Sequence, residues 1–346
     1  MRWSRVCVEA IAVDLPDERV TSAELESRLA PLYERYRLGM GQLESLSGVR
    51  ERRFWPPNPC MAEHAARAGR QALEEAGVSP EDVGAVVYGG VCRDDLEPAT
   101  ACGVADRLGI RGSALVLDVA NACLGVLTGM VTVANMIELG QIKAGLVISA
   151  ESAREIAGDT IDRMLQDNTL DTWSRCLASL TGGSGAVAVV LTEADFSFTG
   201  RALLGGAALA APEHHRIARW GPREGLLGQT SWVMETDAPA VLEHGVVLGR
   251  RTFEVFLREL GWRVSDVERA ICHQVGKGHQ ELILATLGIA PEREYATYST
   301  LGNMGTVALP ATVALAAQDG FIAPGDRVGL LGIGTGLNCL MLGMQW

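Results

Sequence analysis

Short apolar runs alternate with longer amphipathic segments along most of the chain. The runs Val83–Val91 and Ala144–Ala150 are apolar and predict buried strands, whereas Met61–Ala76 and Ala240–Gly261 have helical spacing. Strands that alternate with helices predict parallel sheets covered by helices on both faces. The region Glu193–Pro239 has weaker periodicity and many turn residues, so the pattern predicts only short strands and loops there.

The second half of the chain repeats elements of the first. The predicted helix Leu124–Glu138 resembles Met304–Gln318. The glycines that follow the two helices, Gly140 and Gly320, are 180 residues apart. The same offset relates Cys123 to Asn303, which places both residues at equivalent helix starts. Two equivalent halves, residues 1–195 and 196–346, predict a pseudo-two-fold molecule with a site between them built from helix starts and strand ends.

Composition narrows the class of protein. The 346 residues are 48% hydrophobic, which is enough for a large core. The net charge of −12 argues against a general nucleic-acid binder. No apolar run approaches the ~18 residues of a membrane span, and the N-terminus does not have the pattern of a signal peptide. The eight cysteines form no CxxC pair and show no zinc spacing, so we predict a cytoplasmic protein with reduced cysteines and no metal.

Cys123 lies where a predicted strand, Ala114–Val119, turns into the predicted helix. A thiol at a helix start is presented as a nucleophile, and the partial positive charge of the helix N-terminus is expected to lower its pKa. The alternative is a structural cysteine, because free cysteine is among the most buried residue types.

Two further polar residues stand at junctions of the repeat. His273 ends the apolar run Val267–Cys272, and Asn303 lies in a glycine-rich turn. Taken singly, a histidine after a strand is often structural, and an asparagine beside glycine is often a turn residue. Their matching positions in the two halves favour one site that contains them together with Cys123.

These motifs resemble those of thiolase-superfamily condensing enzymes of the β-ketoacyl-ACP synthase III group. The similar segments span essentially the whole chain: GVRERR near position 50, ACLG around Cys123, HQVGKGH from His273, GNMGTVALP around Asn303 and the terminal GIGTGLNC. The resemblance implies a five-layered αβαβα fold, usually as a homodimer. It also implies that the substrate is a thioester of CoA or of an acyl carrier protein, with no further cofactor.

The same resemblance implies roles for the site residues. Cys123 would be the acylated nucleophile, while His273 and Asn303 would polarise the carbonyl of a second thioester. The backbone N–H groups of Cys123 and Gly336 would form the other oxyanion hole. Neutral hydrogen-bond donors aimed at a developing oxyanion stabilise it without a metal.

Glu97 bears on whether the predicted condensation proceeds with or without decarboxylation. Its loop, VCRDDLEPATAC, resembles that of OleA-type enzymes, which join two fatty acyl-CoAs head to head without decarboxylation. The resemblance implies that Glu97 enters the active site of the partner subunit and removes the α-proton. A carboxyl in apolar surroundings has a raised pKa and suits that task. The alternative is a solvated acidic loop, because Asp94 and Asp95 lie beside it.

The sequence therefore predicts a non-decarboxylative Claisen-condensing acyltransferase. The alternatives are a decarboxylative synthase III that uses malonyl-ACP, an acyltransferase to a hydroxyl or amine, and an idle subunit of a heterodimer. Several arginines could meet phosphates of CoA or an acidic carrier protein, or could be solvated: Arg50, Arg52, Arg53, Arg250 and Arg251.

Overall fold

The computed structural model describes residues 1–222 and 232–346. Residues 223–231, which belong to the weakly periodic region, lie outside the described residues. The strands are β1 Val6–Asp14, β2 Glu18–Thr21, β3 Glu51–Phe54, β4 Val83–Tyr88, β5 Leu115–Asp118, β6 Ala144–Glu151, β7 Gly185–Glu193, β8 Ala202–Ala210, β9 Ala218–Pro222, β10 Trp232–Thr236, β11 Arg269–Cys272, β12 Arg327–Gly334 and β13 Asn338–Gln345.

The helices alternate with these strands through most of the chain. They are α1 Ser22–Ser27, α2 Ala30–Tyr36, α3 Gln42–Ser47, α4 Met61–Ala76, α5 Thr100–Leu108, α6 Gly125–Glu138, α7 Arg154–Asp167, α8 Leu170–Cys176, α9 Ala238–Leu260, α10 Lys277–Leu287, α11 Tyr298–Leu301 and α12 Ala308–Gln318. No helix within residues 1–222 or 232–346 is both long enough and apolar enough to cross a membrane.

Nine strands follow one another in the order β11-β12-β13-β8-β1-β7-β6-β4-β5. The connection in the middle is slight, because β1 and β8 share one registered pair, Cys7 with Ala202. The strands thus form a five-stranded sheet from the first half of the chain and a four-stranded sheet from the second.

The two sheets have the same internal arrangement. In the first, β4 and β6 are parallel while β7 and β1 continue antiparallel; in the second, β11 and β12 are parallel while β13 and β8 continue antiparallel. The prediction of parallel sheets is therefore wrong for five of the eight pairings among these nine strands. The short turn from β12 to β13 allows only an antiparallel neighbour, since a parallel one needs a long crossover.

Helices separate and cover the two sheets. The central helices α6 and α12 share one core with the inner faces of both sheets. Helices α4 and α5 pack on the outer face of the first sheet, and α9 and α10 pack on that of the second. The order helix, sheet, helix, sheet, helix confirms the predicted five-layered αβαβα fold.

The predicted repeat is visible at the central helices. Gly140 and Gly320 end them with φ values of 69° and 72°, and their N–H groups donate to residues that are also 180 positions apart, Ile137 and Ala317. The N–H of Val126 donates to Oγ1 of Thr306, again 180 residues away, at 2.7 Å. Equivalent residues of the two halves thus touch at the centre of the molecule.

Strand β8 is longer and more central than the sequence pattern predicts. It runs for nine residues, ALLGGAALA, and pairs with β13 along most of its length. Alanine and glycine lack the β-branched or aromatic side chains that mark a strand. The prediction of only short strands over this region was therefore wrong for β8, whereas β9 and β10 are short, with five residues each.

Gly125 offers a test of the close packing where α6 begins. A Cβ on Gly125 would lie 1.8 Å from the carbonyl oxygen of Gly89, a backbone atom that cannot rotate away. We expect Gly125→Ala to lower the free energy of unfolding by about 3 kcal/mol or more. Gly158→Ala in α7, where a Cβ meets nothing within 4 Å, should instead be neutral or stabilising by up to about 1 kcal/mol. Urea unfolding measures both, and equal changes would contradict the packing argument.

Candidate active site

Cys123 lies in a strained turn between β5 and α6. A single 3₁₀ turn, Ala122–Leu124, precedes the helix, and Ala122 has a φ of 45°. A left-handed residue other than glycine costs about 1–3 kcal/mol, and such strain clusters at functional sites. The predicted strand, turn and helix around the thiol are thus present.

Cys123 and Asn303 line the same cavity, which has a volume of about 140 Å³. Most of the wall is apolar. Its other polar residues are Glu151, Ser152, Ser179, Thr181, Arg219, Thr236 and Thr335. The cavity lies between the two halves, as the repeat predicts, because one half contributes the thiol and the other the amide.

Hydrogen bonds fix the side chain of Asn303. Its backbone N–H donates to the carbonyl of Thr181 at 2.9 Å, and its carbonyl accepts from Gly183 at 3.0 Å. The side-chain Oδ1 accepts from the N–H of Gly305 at 3.0 Å. With Oδ1 engaged, the Nδ2 group is the end of the amide that can donate to a substrate oxygen.

His273 directly follows β11 and is buried. Its N–H donates to the carbonyl of Leu331 at 3.1 Å, which ties it to the neighbouring strand β12. Burial, with a contribution from His279, lowers the pKa of His273 to about 3, so the imidazole is neutral at physiological pH. Nδ1 of His273 has no partner among the described residues. His273 is not one of the residues that line the cavity around Cys123.

Glu97 lies apart from the cavity of its own chain. Its side chain is exposed, in the loop between β4 and α5. Asp94 anchors this loop by accepting the N–H groups of Met61 and Ala62 at 2.6 and 2.9 Å. A single chain thus brings Cys123 and Asn303 together but does not bring Glu97 to them.

Gly336 lies in the turn between β12 and β13, which approaches Cys123. Thr335 lines the cavity, and a Cβ on Gly334 would lie 3.4 Å from the nitrogen of Cys123. Gly336 itself packs against Asn338. The turn therefore lies beside Cys123. The assignment of the Gly336 N–H to the oxyanion hole stays a prediction.

The cavity contains a buried carboxyl that the sequence analysis missed. Glu151 is the last residue of β6 and is 5% exposed. Its oxygens accept the N–H groups of Val91 at 2.7 Å and Cys92 at 3.0 Å. Burial nevertheless raises its pKa to about 7, because the two N–H groups offset only part of the lost solvation. A charged residue at the end of an apolar strand was the available signal in the sequence.

The predicted lowering of the Cys123 pKa is wrong. Burial, followed by the charge of Glu151, raises the pKa of this thiol to about 12. The helix N-terminus is present, but loss of solvation outweighs its partial charge. At neutral pH the thiol form therefore predominates in the free protein.

Two of the arginines near position 50 donate hydrogen bonds to groups of the same chain. Arg52 is fully buried and donates to the carbonyl of Leu180 at 3.1 Å and to Oγ of Ser22 at 3.0 Å. Arg53 donates to the carbonyl of Pro16 at 2.8 Å. Arg52 is thus not available to phosphates.

Two family models match the chain. Residues 59–171 match the N-terminal domain of thiolase, and residues 257–346 match the C-terminal region of 3-oxoacyl-[acyl-carrier-protein] synthase III. An acyl-CoA:acyl-CoA alkyltransferase of Shewanella oneidensis is 50% identical over 351 aligned residues, with all of both chains covered. This chain belongs to the acyl-CoA:acyl-CoA alkyltransferase family. A β-ketoacyl-[acyl-carrier-protein] synthase III of Streptomyces coelicolor is 29% identical, with 96% of this chain and 94% of the relative covered.

Solved structures of family members have the same fold. OleA of Xanthomonas campestris, with bound lauric acid and lauroyl-CoA, superposes with a TM-score of 0.93 at 32% identity, covering 99% of this chain and 100% of that one. That structure carries a cysteine-to-serine substitution, and other structures of the same protein carry substitutions of one glutamate or one histidine. These are the residue types of Cys123, Glu97 and His273.

Proposed function

We propose that this protein joins two acyl-CoA thioesters head to head, without decarboxylation, to give a β-keto acid or its thioester. The observation that carries the proposal is the thiol of Cys123 and the amide of Asn303 in one largely apolar cavity. Membership of the alkyltransferase family supports acyl-CoA as the substrate on both sides of the reaction.

The first half-reaction is thioester exchange. Sγ of Cys123 attacks the carbonyl carbon of one acyl-CoA, and CoA leaves as the thiol. Because a thioester is exchanged for a thioester, the acyl group remains activated. The backbone N–H groups of Cys123 and Gly336 are the predicted donors to the oxyanion.

The second half-reaction forms the carbon–carbon bond. A base removes an α-proton from the second acyl-CoA, and Nδ2 of Asn303 stabilises the resulting enolate oxygen. The neutral imidazole of His273, which lies outside the lining of the Cys123 cavity, is the predicted second donor. The enolate carbon attacks the acyl-cysteine, whose sulfur leaves, and the product is a β-ketoacyl-CoA. Hydrolysis of that thioester by water releases the second CoA and gives the β-keto acid. Neutral donors suit this step, since dipoles already aimed at the carbonyl oxygen stabilise the negative charge that develops there in the enolate.

We infer that the base is Glu97 of a second copy of the chain. Strand β5 has an open edge at the end of the first sheet, with Leu115 half exposed. Open edges favour pairing with another chain. The N–H of Thr100, just after the Glu97 loop, donates to Asp118 at the end of β5 at 3.0 Å. In a homodimer joined at this edge, the Glu97 loop of each subunit would therefore lie at the interface.

The decarboxylative synthase is the second candidate, and the match to the synthase III model favours it. Purified protein with a long-chain acyl-CoA alone distinguishes the two reactions. We expect CoA release and a β-keto acid, or the ketone formed by its decarboxylation, in mass spectra. A product that appears only when malonyl-ACP is added would replace this proposal with the decarboxylative one.

A further inference from the structure

Two asparagine side chains join the turns on either side of the nucleophile, and the proposed reaction gives neither of them a role. Asn121 lies two residues before Cys123, and Asn338 lies two residues after Gly336. Nδ2 of Asn338 donates to Oδ1 of Asn121 at 2.8 Å. Because the two asparagines are 217 positions apart, this bond ties the turn before α6 to the turn between β12 and β13.

The Asn121 amide is held at both ends. Its Oδ1 accepts from Asn338, and its Nδ2 donates to Oγ1 of Thr128 at 2.9 Å. The Thr128 hydroxyl in turn donates to the carbonyl of Leu124 at 2.8 Å. The N–H of Leu124 donates back to the carbonyl of Asn121 at 2.8 Å. These bonds enclose the backbone from Asn121 to Leu124, which includes Cys123.

Asn338 is fixed by its strand and lies against the other turn. It pairs with Gly334 in β12 on one side and with Ala210 in β8 on the other. A Cβ on Gly336 would lie 2.7 Å from Nδ2 of Asn338. The amide that bonds Asn121 is therefore packed beside the residue whose N–H is the predicted second donor of the oxyanion hole.

The two asparagines lie outside the cavity that contains the thiol. They line a second cavity, which has a volume of about 290 Å³. Neither is among the described residues that line the cavity around Cys123. Their influence on the reaction therefore passes through the backbone that they hold.

The backbone between Asn121 and Cys123 needs such support. Ala122 has a φ of 45°, and a strained conformation of this kind persists only when the surrounding structure holds it. The hydrogen bonds of Asn121 fix one end of the strained residue. Without them the turn can relax, and the N–H of Cys123 moves with it.

We propose that the hydrogen bond between Asn121 and Asn338 positions the two donors of the oxyanion hole, the N–H groups of Cys123 and Gly336, relative to each other. This inference rests on the proposed function, which supplies the oxyanion hole. The two asparagines are positioning residues, since they act on the donors and not on the substrate. Donors that are aimed before the reaction begins need no reorganisation as charge develops on the oxygen.

The ester para-nitrophenyl hexanoate tests the inference without acyl-CoA. The sulfur of Cys123 takes its acyl group, coloured nitrophenolate leaves, and the thiol proton passes to the buffer. We expect Asn121→Ala and Asn338→Ala each to lower the rate of the nitrophenolate burst about ten- to hundredfold, because a displaced donor stabilises the oxyanion poorly. The ester concentration that gives half of the maximal burst rate should change by less than about threefold, since no contact with the bound ester is lost.

A double-mutant cycle shows whether the two side chains act as a pair. The variant with both substitutions should be no slower than the slower single variant, because either change alone already breaks the shared bond. Two losses that multiply in the double variant would show independent effects and would overturn the proposal.

Alkylation of Cys123 by iodoacetamide separates positioning from a general structural role, because this reaction forms no oxyanion. The tryptic peptide of residues 112–143 contains Cys123 as its one cysteine, so mass spectrometry reports its rate separately. We expect each variant to keep the alkylation rate within about threefold of the native rate, since the lost stabilisation acts only on an oxyanion. Equal losses of acylation and alkylation would assign the pair to folding alone and refute the proposal.

Thr132 provides the matched control on the same helix. Its hydroxyl donates to the carbonyl of Thr128 at 2.9 Å, one turn beyond the bonds that enclose Cys123. We expect Thr132→Val to keep the burst rate within about threefold of the native rate. Thermal unfolding checks that every variant is folded, and either single asparagine variant alone decides whether acylation and alkylation separate.

The outcomes distinguish this inference from the proposed function. Failure of head-to-head condensation with acyl-CoA would refute the proposed function and leave the ester assay available. Burst rates that are unchanged in both single variants would refute the inference alone. A native protein that gives no burst with the ester would refute the oxyanion hole at these turns, and the inference with it.

Discussion

Replacing Cys123 by alanine should abolish the release of CoA from a long-chain acyl-CoA, with a loss of about 10⁴-fold or more. Every later step needs the acyl group on this sulfur, so carbon–carbon bond formation should disappear with it. Mixing enzyme at micromolar concentration with acyl-CoA and following free thiol by rapid quench measures the initial burst. Intact-protein mass spectrometry should show one acyl group per chain in the native protein and none in the variant.

Cys92 provides the matched control because its thiol borders the same cavity. It lies in a loop rather than at a helix start, and its Sγ contacts the backbone of Ser152 at 3.5 Å. We expect Cys92→Ala to keep the burst and to lower its rate by less than about tenfold, since no transition-state contact is lost. An acylated Cys123→Ala protein, or a burst lost only in the Cys92 variant, would show that the nucleophile is misassigned.

The residues that the sequence could reveal are those fixed by local pattern and by the repeat. A strand, a turn and a helix mark Cys123 without knowledge of the rest of the fold. The 180-residue offset adds Asn303 at the equivalent helix start, and the contact between Val126 and Thr306 shows that this offset reflects real pseudo-symmetry. The layer order follows because each half must bury its central helix against both sheets.

The features that the sequence did not reveal depend on distant partners. The pKa of the Cys123 thiol is raised by its burial in the folded protein and by the charge of Glu151, neither of which its own helix reveals. Arg52 lies in a basic run that suggests a surface, yet the carbonyl of Leu180, 128 residues away, accepts from its guanidinium. Strand β8 is made of small residues whose pairing is recognisable only beside β13.

Replacing Glu97 by alanine should separate the two half-reactions. Acylation of Cys123 needs no α-proton transfer, so the burst of CoA should remain. Condensation should fall by about 10²–10⁴-fold, the range typical of a lost general base. The neighbouring exposed residue Asp95 gives the control, because Asp95→Asn removes a charge from the same loop and should leave condensation within about threefold. Equal losses in both variants would indicate a loop that matters only for its shape or charge.

Subunit mixing then decides which chain supplies the base. Cys123→Ala and Glu97→Ala proteins are each inactive in condensation, and random reassociation places half of the chains in mixed dimers. If Glu97 acts across the interface, each mixed dimer has one complete site, and the mixture should recover about one quarter of the native activity. If Glu97 acts within its own chain, no site in a mixed dimer is complete and nothing is recovered. The exposed position of Glu97, outside the cavity that holds its own Cys123, leads us to expect the recovery.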